Sequence, residues 1–120
     1  MAGLQWARLQ TDVHCSLRRG AWYRVTAIDG LEAVVDVNRR PHTVPSFLLK
    51  IVSTPPRRWT VVPTPPGARR AEAAGLGPQY AVCPSCRERS PLPLKARPRT
   101  LDCARCRGVF EVAWNESYLR

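Results

Sequence analysis

The sequence predicts a mainly β chain: a small closed barrel followed by a metal-stapled β-hairpin domain. Three observations lead there. Short runs of aromatic and β-branched residues, punctuated by turn signals, fill residues 17–62. Four cysteines fall in two close pairs near the C-terminus. A Pro/Gly-rich stretch, residues 63–79, separates the two regions. The expected order is an N-terminal arm 1–16, a barrel 17–62, a linker 63–79 and a cysteine-bearing domain 80–120.

In the arm, Leu4, Trp6 and Leu9 suit a short helical turn or a loose segment. The adjacent pair His14-Cys15 reads as a half-buried cysteine beside a surface histidine, ahead of an extra metal ligand or a reactive thiol. From Leu17 the pattern turns β-like. Ala21–Ala27 holds Trp22, Tyr23, Val25 and Thr26, and Asp29-Gly30 is a two-residue hairpin signal. In Leu31–Val37, Leu31, Ala33, Val35 and Val37 are expected on one face and Glu32 and Asp36 on the other. Asn38-Arg39-Arg40-Pro41 reads as a turn and His42–Val44 as a strand that Pro45 stops. Ser46–Leu49 fits one helical or 3₁₀ turn with Ser46 as its cap. Lys50–Val52 and, beyond the Pro55-Pro56 break, Trp59–Val62 complete five strands. Closing them removes the exposed edges of so small a sheet. The order from Leu17-Arg-Arg-Gly-Ala-Trp-Tyr-Arg-Val25 to Trp59-Thr-Val-Val62 resembles SH3-like barrels of the KOW and Tudor kind.

Residues 63–79 hold four prolines and three glycines, which oppose a long helix or strand. The domain boundary is expected there, with Trp6, Trp59 and Trp114 as candidates for a seam between the halves. Beyond it, Tyr80–Val82 leads into the first cysteine pair. Residues 91–99 are extended by their prolines. They read as a ribbon edge with Leu92 and Leu94 covering its core, ahead of a PxxP-type ligand. Val109–Trp114 closes the chain, with Phe110, Val112 and Trp114 on one face and Glu111 on the other.

The cysteines read Cys83-Pro84-Ser85-Cys86, sixteen residues, then Cys103-Ala104-Arg105-Cys106. Two intervening residues let a tight turn aim both sulfurs at one ion, and the longer gap brings a second turn back beside the first. Four thiolates suit Zn²⁺ in a closed, structural site. Other readings are weaker. A redox C-x-x-C would sit at a helix start in a βαβ setting. Disulfides need an oxidising compartment, and no secretory signal is present. Iron shares the geometry and is not separated by it. The stretch Cys83-Pro-Ser-Cys86 to Leu101-Asp-Cys-Ala-Arg-Cys-Arg-Gly-Val-Phe-Glu-Val112 resembles a zinc ribbon. It is similar to short bacterial ribbons whose second knuckle is followed by Gly, an apolar residue and Phe. In many ribbons Gly directly follows each pair; here Arg87 and Arg107 stand there, and Gly108 comes one later.

The chain carries 17 Arg and 2 Lys against 9 acids, a formal charge of +10. Such a balance points to an anionic partner: RNA, DNA or an acidic protein surface. Arg-richness from base composition, with a merely solvated surface, is the competing account. The candidate contacts are Arg18, Arg19, Arg39 and Arg40 on barrel loops and Arg87, Arg105 and Arg107 at the knuckles. The knuckle arginines, with Arg89, equally suit a second role, offsetting the negative zinc–thiolate centre. His14 and His42 have no partner set, and no Gly-rich phosphate loop or acid pair stands out, so a non-catalytic protein without a small-molecule substrate is expected. With no bilayer-length apolar run, the expected location is the cytoplasm, away from membranes. Two functions fit: a nucleic-acid-associated accessory factor in transcription or on the ribosome, or a protein-interaction adaptor docking through ribbon and barrel surfaces.

Overall fold

Alternating small and β-branched residues with positive-φ turns between them build the first sheet. The computed structural model describes residues 4–11, 15–64, 77–92, 95, 97–116 and 118. The described residues are mainly β, in two sheets, and the chain divides into compact units Met1–Pro56 and Arg57–Arg120. No helix among them is long and apolar enough to cross a membrane.

The first unit contains β1 (Gln5–Leu9), β2 (Tyr23–Asp29), β3 (Glu32–Val37), β4 (Arg40–Pro45), a 3₁₀ turn (Ser46–Leu48) and β5 (Leu49–Val52). Their order across the sheet is β4-β3-β2-β1-β5, all antiparallel. A register shift between Val25 and Ala27 curls β2, and the sheet forms a half-barrel. Ala7, Leu9, Tyr23, Ala33, Val35, Val44 and Leu49 supply the buried side chains.

Several local expectations shift. The residues expected as an N-terminal arm include β1, an interior strand of this sheet. Its Ala7, Arg8 and Leu9 are consecutively buried, so it shows no period-2 signal. The guanidinium of Arg8 lies 4.5 Å from the centroid of the Trp22 ring, which lets a cation sit inside. The first hairpin loop is Gly30-Leu31, one residue later than Asp29-Gly30, because Asp29 pairs with Glu32. Gly30 takes φ +57°, as the first loop position of a type II′ turn requires. Leu31 therefore sits in the loop, 81% exposed, whereas Ala33 and Val35 face inward as expected. The next loop is Asn38-Arg39 alone, with both φ positive (52° and 68°), the type I′ signature. β4 accordingly starts at Arg40 and holds both Pro41 and Pro45, which an edge strand tolerates. The 3₁₀ turn forms at Ser46, but Ser46 makes no side-chain cap.

The second unit contains β6 (Arg58–Pro63), β7 (Gln79–Val82), β8 (Arg89–Pro91), β9 (Thr100–Asp102) and β10 (Val109–Val112), in the order β8-β7-β6-β10-β9. Here the expected barrel 17–62 and linker 63–79 are corrected. Trp59–Val62 is not a barrel strand: it lies in β6, the centre of this second sheet, antiparallel to β7 and parallel to β10. Residues 63–79 join β6 to β7 within one unit, closed by the Thr64 N–H donating to the Pro78 carbonyl at 2.9 Å. The chain divides at Pro56/Arg57, where Pro55-Pro56 interrupts strand pairing. Trp59, Val61, Ala81, Cys83, Leu92, Cys103 and Val112 form the core, with Phe110 and Trp114 packed against it. Trp59 and Trp114, expected at a seam, thus serve this unit's own core. Indole N–H groups hold the outer strand and the segment before it: Trp59 Nε1 donates to the Leu101 carbonyl at 3.1 Å and Trp114 Nε1 to that of Pro98 at 2.7 Å. Leu92 covers the core as expected; Leu94 and the 65–76 stretch lie outside the described residues.

Candidate metal centre

Each cysteine pair occupies the turn of one hairpin, Cys83–Cys86 between β7 and β8 and Cys103–Cys106 between β9 and β10. β6 joins the two hairpins by pairing with β7 on one side and β10 on the other, so both turns reach the same end of the sheet. The four sulfurs lie within 4.8 Å of one another. Cys83 Sγ is 3.7 Å from Cys106 Sγ, and Cys86 Sγ is 3.4 Å from Cys103 Sγ. A tetrahedron with Zn–S bonds of about 2.3 Å has S···S edges of about 3.8 Å. Four cysteines at this spacing can hold one soft divalent ion. They are unbridged thiols, and a disulfide would need sulfurs about 2.05 Å apart.

The two knuckles share the same pair of N–H to carbonyl bonds. The Cys83 and Cys103 N–H groups donate to the carbonyls of Glu88 and Gly108, both at 2.8 Å. Arg87 and Arg107 return N–H bonds to the carbonyls of Cys83 (3.2 Å) and Cys103 (2.8 Å). Amides also point at sulfur: Ser85 N–H to Cys83 Sγ and Cys106 N–H to Cys103 Sγ, each at 3.4 Å. Closing such a turn needs left-handed backbone just after the second cysteine. Arg87 (φ 66°) and Arg107 (φ 64°) supply it, at about 1–2 kcal/mol each relative to right-handed backbone. Arginine thus takes up the left-handed backbone at both knuckles. Gly108 answers a different need: a Cβ there would lie 2.5 Å from Phe110 Cε2, so its absence lets the Phe110 ring cover the second knuckle.

Burial is uneven. Cys83 and Cys103 are buried, Cys86 is half-buried and Cys106 is exposed. Desolvation pushes the Cys83 thiol up to about 12 and raises that of Cys86 as well. For Cys103, burial pulls upward, but hydrogen bonds from the Cys106 and Arg105 amides and from the Cys86 and Cys106 thiols together outweigh it and hold the thiol at about 7. Metal uptake must displace the Cys83 proton at any pH below about 12, and the Cys103 proton as well below about 7. Affinity for a metal therefore falls as pH falls, more steeply below neutrality than above it.

Of the arginines expected to meet a partner, Arg39, Arg40, Arg105 and Arg107 are exposed, whereas Arg18, Arg19 and Arg87 are half-buried. Arg105 and Arg107 share the second knuckle and Arg87 flanks the first. In the other unit Arg39 lies in the β3–β4 turn and Arg40 opens β4. Cys15 is exposed rather than half-buried and stands outside the four-cysteine cluster. His14 lies outside the described residues. Sequence reasoning missed β6 as the strand that joins the two knuckle hairpins. Its only local trace is Trp59, an indole with more surface than a small barrel edge needs. Comparison with protein families, with curated proteins and with solved structures finds no match to this chain.

Proposed function

We propose that the chain is a non-catalytic, Zn²⁺-stapled protein that works as a nucleic-acid-associated accessory factor, in transcription or on the ribosome. The observation that carries it is the four-sulfur cage with exposed arginines on its rim, in a chain of formal charge +10. Four cysteine ligands fill a tetrahedral zinc, so the ion stabilises the fold and has no position left to activate water. Phosphate contacts from arginine would then dominate affinity. Fluorescence titration with RNA and duplex DNA tests this. An interface of about four phosphates loses roughly a hundredfold affinity between about 50 and 200 mM salt. Affinity that is absent, or flat across that range, refutes the reading.

One observation favours a second reading, the protein-interaction adaptor. Leu31 and Phe47 are 81% and 70% exposed, and the Ser46 N–H donating to the Leu31 carbonyl at 2.7 Å brings their backbones together. Exposed Asp29 and Glu32 flank Leu31, an apolar and acidic spot in a basic chain. Recovery of one stoichiometric protein partner after nuclease treatment would favour this reading over the first.

A further inference from the structure

Among the described residues, Asn38, Arg39, Arg87 and Arg107 are the non-glycine residues with positive φ. Three of the four are arginine. Arg is 17 of 120 residues, roughly one in seven, so composition alone would not put it there. These are the positions where glycine carries the least strain. Strained backbone persists where surrounding structure enforces it, and it concentrates at ligand-binding sites. At the knuckles the enforcement is visible: Arg87 and Arg107 must turn left-handed to bond back to Cys83 and Cys103.

We infer that Arg107 and Arg105 on one knuckle, with Arg87 on the other, form a phosphodiester-binding site that the bound metal assembles. This deepens the nucleic-acid reading and rests on it. Arg87 and Arg107 each directly follow a cysteine, Cys86 and Cys106, whose sulfurs lie within 4.8 Å of each other. One ion held by these sulfurs would therefore fix the backbone at both arginines relative to each other. Arg105 and Arg107 are exposed. Guanidinium forks match phosphate oxygens two at a time, which a lysine ammonium does not. An ion that closes the knuckles favours the arrangement that binds phosphate, so metal and phosphate affinities rise together. Offsetting the charge of the metal–thiolate centre would not by itself call for arginine at the strained position, because Arg105 already supplies a cation beside the ligands.

The test uses the full-length, Zn²⁺-loaded protein and its Arg87→Gly/Arg107→Gly double variant. Glycine removes both forks and suits the left-handed backbone, and the melting temperature reports any fold lost with the side chains. Probes are a fluorescein-labelled single-stranded RNA, a labelled duplex DNA and inorganic polyphosphate; zinc affinity and melting temperature are read alongside. The expected result is oligonucleotide affinity lower by roughly tenfold and a salt slope shallower by about two, with melting temperature equal or higher. Chelation of the wild type should abolish the same binding. Unchanged oligonucleotide binding in the double variant overturns the site while leaving the nucleic-acid reading in place. So does a loss confined to zinc affinity or melting temperature, which assigns these arginines to charge balance alone. Polyphosphate binding without oligonucleotide binding overturns the ligand class. A wild type that binds neither RNA nor DNA refutes the nucleic-acid reading itself, and this site with it.

Discussion

Replacing Cys103 with serine should unfold the second unit and leave the first one folded. Cys103 is 2% exposed and joins three bonds of its knuckle besides ligating distance to Cys86. Structural zinc contributes about 10–16 kcal/mol in small metal-folded peptides at neutral pH. That is as large as the whole stability of an ordinary domain, about 5–15 kcal/mol. Two of the ligands, Cys83 and Cys103, belong to the second unit's own core, so removing the ion leaves unpaired thiols in that core. The first unit keeps its own core of Leu9, Tyr23, Val35 and Leu49, which no cysteine of the cluster joins. Amide hydrogen exchange resolves the two: Cys103→Ser should strip protection from Val61, Ala81 and Val112 and preserve it at Ala7 and Val35. Cys15→Ser, at an exposed thiol outside the cluster, should change neither. Protection retained throughout β6, β7 and β10 in Cys103→Ser would show that the cysteine cage does not hold this unit together.

The second large effect comes from β6. A peptide of residues 80–120, which holds all four cysteines, should bind zinc without folding cooperatively, whereas residues 57–120 should fold. The shorter peptide lacks the strand that pairs with β7 over Thr60–Pro63 and with β10 at Arg58 and Trp59. Without β6, no strand pairing links the β7–β8 hairpin to the β9–β10 hairpin. Trp59 concentrates the loss, being 1% exposed with its indole N–H on Leu101. Trp59→Ala in the full chain should cost about 3–5 kcal/mol, read as a fall in the guanidinium midpoint of the second unit. Equal midpoints for the 80–120 and 57–120 peptides at saturating zinc would rule out this role for β6.

The cysteine cluster was legible because ligand chemistry writes itself into spacing: two C-x-x-C pairs meet as the sequence implies, and the sulfurs converge as expected. The β2–β3 and β3–β4 hairpins were legible in the same local way, through Gly30, Asn38 and the inward Ala33 and Val35. Pairing between distant strands was not. A strand's own residues state that it is a strand, not which neighbour it takes, so Trp59–Val62 read equally well as the end of a barrel. β1 was hidden for another reason: an interior strand buried on consecutive residues shows no alternation, and Arg8 within it looks like surface. The left-handed Arg87 and Arg107 show the limit from the other side. Arginine at these positions gives no local sign of left-handed backbone, yet both residues adopt it while bonding back to Cys83 and Cys103.

We propose that Cys83, Cys86, Cys103 and Cys106 hold one divalent ion. Elemental analysis of the purified chain, combined with thermal unfolding before and after chelation, addresses this most directly. One zinc per chain is expected, with cooperative unfolding of the second unit lost once the zinc is stripped. A metal-free chain whose second unit still unfolds cooperatively would contradict it.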